Sequence, residues 1–167
     1  MKIRPLLPLL VLLLPLTAMS QNLMLNKGDM EVTGSAGFTS EEISTQARLG
    51  VFIYDYTQLG VKLDWSDNNF ATRTRVAFFG YYLFETREYW LPYVGTSLGY
   101  ASVDADAGGS ESGMEITIFT GIKYYLADNV SLNTELLYGA SSGDTYLKDD
   151  GSESSEFGIQ IGFSYLF

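Results

Sequence analysis

Ten charged side chains share alternating positions with small or polar residues rather than with apolar ones: Glu31, Arg48, Lys62, Asp64, Arg73, Arg75, Glu115, Lys123, Glu135 and Glu156. Five are basic and five acidic, so the first chemistry open to them is mutual pairing. Glu115, Glu135 and Glu156 could do acid–base work only in a cleft that sets carboxylates against a substrate. With basic neighbours at hand, structural ion pairs are the expected use. Asp104-x-Asp106-x-Gly108 and Asp149-Asp150-Gly151-x-Glu153 carry the hard oxygens that calcium takes. The first lacks the ligand count and spacing of a calcium hand, so both read as solvated acidic loops, and no metal or cofactor is expected.

Other chemistries are closed by composition. Histidine and cysteine are both absent from the 167 residues, which removes the imidazole base, the usual zinc ligands and the thiolate nucleophile. Neither Gly34-x-x-Gly37 nor Gly108-Gly109 is followed by the Lys-Ser/Thr of a phosphate cradle. Acidic residues outnumber basic ones 20 to 10, which argues against nucleic acid as a partner.

The elements that must position the ten charges are strands. Residues alternate apolar and polar over eight stretches, near 29–38, 45–54, 58–65, 70–84, 89–103, 114–126, 130–141 and 155–167, and period two is the mark of a strand. In each stretch the charges fall on the face opposite the bulky apolar residues. Arg73 and Arg75 test that parity independently of the apolar face. Turns after strands two, four and six are short, at Asp55-Tyr56-Thr57, Glu85 to Glu88 and Ala127-Asp128-Asn129. Connections after strands one, five and seven, near 39–44, 104–113 and 142–154, are longer and acidic. The connection after strand three is the exception, as short as the turns. Residues 21–28 read as a loosely ordered lead-in.

Ahead of these, Lys2 and Arg4 precede an apolar run from Leu6 to Leu16, and Ala18-Met19-Ser20 supplies small residues for cleavage. Residues 1–20 are therefore expected to be a signal peptide, with 21–167 as one domain.

The last stretch is the most specific. Phe157, Ile159, Ile161, Phe163, Tyr165 and Phe167 share one face, against Gln160, Gly162 and Ser164 on the other. Gln160, Gly162, Tyr165 and Phe167 resemble the terminal-strand signal of bacterial outer-membrane barrels. In that family the barrel-assembly machinery recognises the signal. The whole chain after residue 20 is similar to the small barrels of the outer-membrane protein A and opacity-protein type, with Pro92-Tyr93-Val94-Gly95 after Trp90 as its most family-like piece.

The resemblance implies an all-β, eight-stranded, antiparallel up-and-down barrel in the outer membrane of a Gram-negative bacterium. Outer-membrane lipid and lipopolysaccharide would surround it, and a monomer is expected. Some barrels of this architecture are acyltransferases, deacylases or proteases, but their catalytic sets use histidine. A role in envelope structure or surface contacts without catalysis is therefore expected, with a narrow porin-like channel or a surface adhesin as alternatives. A closed eight-strand ring is just wide enough for side chains, so the ten charges should pair inside it, Lys123 with Glu135 among them, and little steady current should pass.

Overall fold

The computed structural model describes residues 25–38, 43–67, 71–86, 89–105, 109–148 and 151–167. The expected leader lies outside them, as do Glu41, Glu42, Asp106, Gly108, Asp149 and Asp150. Barrel strands are β1 (Met30–Phe38), β2 (Ile43–Tyr54), β3 (Thr57–Asp67), β4 (Ala71–Leu83), β5 (Trp90–Ala105), β6 (Ser110–Ala127), β7 (Val130–Ser141) and β10 (Ser155–Leu166). Each pairs antiparallel with its chain neighbour, and β10 closes the ring on β1 with Val32 opposite Tyr165 and Ala36 opposite Ile161. Closure leaves no free edge, which is what a sheet in hydrocarbon requires.

Alternation decides which side faces in. From Phe157 onward the terminal strand turns its odd positions out, with Phe157 at 62% and Phe163 at 58% exposure, while Gly158, Gln160, Gly162 and Ser164 are buried. The same holds around the ring, where Leu63, Val76, Phe78, Leu98, Ile118 and Ile161 are outward and exposed. Rings mark the two ends of this oily band. Tyr82 packs edge-on against Phe84 at 5.2 Å, and Tyr165 stacks on Phe167 at 6.3 Å, both at the turn end. Trp65 and Tyr100 stand toward the loop end. From Trp90 to Tyr100 along β5 is ten residues, which at ~3.3 Å rise and ~40° tilt climbs ~25 Å, the height of an outer-membrane apolar band.

At the turn end, Asp55-Tyr56 joins β2 to β3 with Tyr56 in the left-handed region (φ 59°). Asp128-Asn129 joins β6 to β7.

Three stretches differ from the sequence expectation. Residues 104–113 are mostly not loop: β5 and β6 stay paired out to Asp104 opposite Ser110. Backbone ladders need no apolar face, so pairing continues where alternation stops. The connection 142–154 holds a separate hairpin, β8 (Tyr146–Lys148) on β9 (Gly151–Glu153). Strands of three residues are too short for periodicity to reveal. The described part of the lead-in, from Leu25 onward, packs against the ring. Leu25 is buried at the base of the ring, Gly28 N donates to Phe52 O, and Lys27 N donates to Asp55 Oδ1.

Candidate functional site: the charged lumen

The interior is stacked in three layers. At the turn end, Leu25, Phe52, Leu83, Leu91 and Tyr125 form an apolar plug, continued upward by Phe79, Tyr81, Tyr93 and Phe119. Tyr81 is central, with ring centroids 5.3 Å from Tyr93 and 5.9 Å from Phe79. Sequence reading missed this plug, because segments such as Tyr81-Tyr82-Leu83-Phe84 are apolar on both faces. Parity carried on from Arg73 and Arg75 through 77, 79, 81 and 83 would have found it.

Above and among these rings lies the charge layer. Arg48 grips Glu135 through both terminal nitrogens at 2.6 Å and reaches Gln160 Oε1 at 3.3 Å, while Tyr93 Oη donates to Glu135 at 2.7 Å. Lys123 Nζ donates to both oxygens of Glu31 at 2.6 Å and lies 3.0 Å from Tyr81 Oη, which also bonds Glu31. Arg75 Nε donates to Asp64 Oδ2 at 2.7 Å. Arg73 and Arg75 share Glu115, and Gln46 Nε2 holds the other oxygen of Asp64.

Nine of the ten predicted charges are thus buried in the lumen, and Glu156 is half-buried at the loop-end mouth. The expected pair of Lys123 with Glu135 does not form. Lys123 stands opposite Asn133 and Glu135 opposite Gly121, so the hairpin staggers them, and each finds a better partner across the ring. Lys62 is also unlike the rest. It is 1% exposed, its Nζ lies 6.0 Å from the Phe119 centroid, and no carboxylate among the described residues reaches it for an ion pair.

At the loop end a cavity of about 30 Å³ opens between Gln46, Asp64, Arg75, Glu115, Glu156 and Tyr146, room for a water or two. The β8 hairpin caps it. Tyr146 is buried, with the guanidinium of Arg73 4.6 Å from its ring centroid, and Thr145 beside it is fully buried. Burial pushes the Tyr146 phenol up to about 12. Glycine at 139 is what admits this ring, since a Cβ there would collide with Tyr146 Oη. Gly139→Ala is therefore expected to lift the cap. In this cysteine-free chain, a Ser44→Cys probe in the cavity wall should react with a small thiol reagent at least tenfold faster in the Gly139→Ala background. Equal rates would mean that the hairpin seals nothing.

The residues of the terminal signal divide between the two faces. Gln160 and Gly162 are inward, and Tyr165 and Phe167 are outward and exposed.

A closed antiparallel ring of eight strands with charges enclosed and apolar residues outside is the architecture of small outer-membrane barrels. The N-terminal β-barrel domain of Pseudomonas aeruginosa OprF matches with a TM-score of 0.69 at 19% identity, covering 84% of this chain and 98% of that one. Neisserial surface protein A matches at 0.59 and 18% identity, covering 83% and 95%. The outer membrane enzyme PagL matches at 0.51 and 13% identity, covering 81% and 98%. No family model and no curated protein matches the sequence. The likeness is one of fold, and a fold that hosts an enzyme among its members leaves activity to be argued from the site.

Proposed function

We propose that this chain is an integral outer-membrane barrel with a closed lumen, serving the envelope as a structural or surface-contact element without catalysis. The observation that carries this reading is the inverted polarity: buried side chains include Arg48, Lys62, Glu115, Lys123 and Glu135, while Phe78, Leu98, Ile118 and Phe163 are exposed. A water-soluble barrel would present the reverse. Surrounding lipid supplies the missing apolar layer.

Two features favour a closed lumen over a channel. An aromatic plug fills the turn end, and Glu31, Asp64, Glu115 and Glu135 are held by cations. The same engagement argues against catalysis, because a carboxylate locked to guanidinium is poorly placed to carry protons. By resemblance, Gln160, Gly162, Tyr165 and Phe167 would engage the assembly machinery. The acidic outer connections would meet lipopolysaccharide through divalent cations, and the ring would work as a monomer.

Reconstitution in a planar bilayer tests the closed lumen. The expected record shows no steady single-channel current. A sustained current from the purified monomer would replace this reading with the porin-like one, and extraction of native protein without detergent would remove the membrane assignment altogether.

A further inference from the structure

Lys62 is enclosed in protein and holds no ion pair among the described residues. The fully enclosed part of the lumen holds Arg48, Lys62, Arg73, Arg75 and Lys123 against Glu31, Asp64, Glu115 and Glu135, five cations to four carboxylates, a surplus of one. The other four cations each hold a carboxylate, so the surplus falls on Lys62.

Its surroundings supply donors rather than acceptors. Arg48 stands directly opposite Lys62 on β2. Both cations lie on the Phe119 ring, at 5.0 Å for the Arg48 guanidinium and 6.0 Å for Lys62 Nζ. Arg48 Nε is buried without a hydrogen-bond partner among the described residues. Asp64, two residues along the same face, makes no ion pair with Lys62, and its oxygens already accept from Gln46 and Arg75. Glu135 is spent on Arg48 and Tyr93.

A buried lysine with no ion pair either gives up its proton or takes a counter-ion, and a neutral acceptor such as water does not compensate the charge. We propose that Lys62, with the buried Nε of Arg48 opposite it, binds a monovalent, halide-sized anion inside the barrel. Size follows from the way in: the loop-end cavity of about 30 Å³ has room for a water or two, so a polyatomic anion does not fit through it. Access comes from the loop end, where the cavity under Tyr146 reaches down to Gln46, Asp64 and Arg75, one layer above Lys62.

The test uses the whole barrel refolded in vesicles. At equal ionic strength, the urea-unfolding midpoint should be higher in sodium chloride or bromide than in sodium gluconate, whose anion cannot enter. A halide at 100 times its dissociation constant shifts the folding equilibrium by about 100-fold. Lys62→Met, close in length and uncharged, should fold and lose the difference. Crystals grown in bromide should give an anomalous peak within hydrogen-bonding reach of Lys62 Nζ in the unaltered protein, a readout that does not depend on the variant folding. Equal midpoints in chloride and gluconate, a halide effect that persists in Lys62→Met, or no anomalous peak at Lys62 would each overturn the proposal. A conducting barrel that still shows the peak would sink the closed-lumen reading and leave this one standing.

Discussion

Glu135→Leu should destabilise the folded barrel by about 3–5 kcal/mol, and Arg48→Met with Glu135→Leu should restore most of that loss. Both side chains are buried, at 5% exposure each. Removing the carboxylate strands the Arg48 guanidinium in the same enclosed space as Lys62, and takes the acceptor from Tyr93 Oη as well. Removing both charges strands nothing but that phenol and the Gln160 amide. The asymmetry arises because desolvation of an ion is unfavourable whether or not the partner is present, whereas attraction needs both. Equilibrium urea unfolding in lipid vesicles gives all four corners of the cycle. A loss below about 1 kcal/mol for Glu135→Leu would mean that water reaches Arg48, since exposed pairs are worth no more than that, and the lumen would then be wet. Independent, additive losses would mean that the two groups are not coupled at all.

The reason such a pair can be predicted to lie inside, but not which residues form it, is physical. Alternation is a local property, so the outward face of β10 and the inward parity of Arg73, Arg75, Lys123 and Glu135 are legible along a single strand. Partner choice is not local. Lys123 meets Glu31, 92 residues away, and Arg48 meets Glu135, 87 residues away, contacts fixed by how the ring closes rather than by any one hairpin. The plug was hidden for a second reason. Phe52, Leu83, Tyr93 and Phe119 stand in strands with apolar residues on both faces, so hydrophobicity carries no directional signal there. Tyr146 was hidden for a third reason. Its hairpin has no periodicity to read, and the clue to its place is a glycine on another strand, Gly139, whose missing side chain makes the room.

Phe78→Arg should cost about 2–4 kcal/mol of folding free energy in a bilayer, while Phe84→Arg should cost about 0–1. The two share one strand direction and one outward face, and both are exposed, Phe78 at 74% and Phe84 at 49%. In water neither change would matter much, because an exposed side chain away from caps and cores is worth within about 0.5 kcal/mol. Depth separates them here. Phe84 sits at the turn end against Tyr82, where an arginine can reach headgroups and water. Phe78, six residues on, stands ~15 Å higher at ~3.3 Å rise and ~40° tilt, beyond half the height of a ~25 Å band. Its lateral neighbours Val61 and Leu98 are apolar, so no outward acid is at hand to pair with the new charge. Because the same residue type is removed and the same one introduced, the difference between the two variants isolates burial in lipid from loss of an aromatic ring. Unfolding in vesicles should show the gap, and unfolding in short-chain detergent, whose micelle adapts around a charge, should narrow it. Two equal and small effects in vesicles would mean that the outer surface is wetted, and the apolar band would then have to be covered by protein instead of lipid.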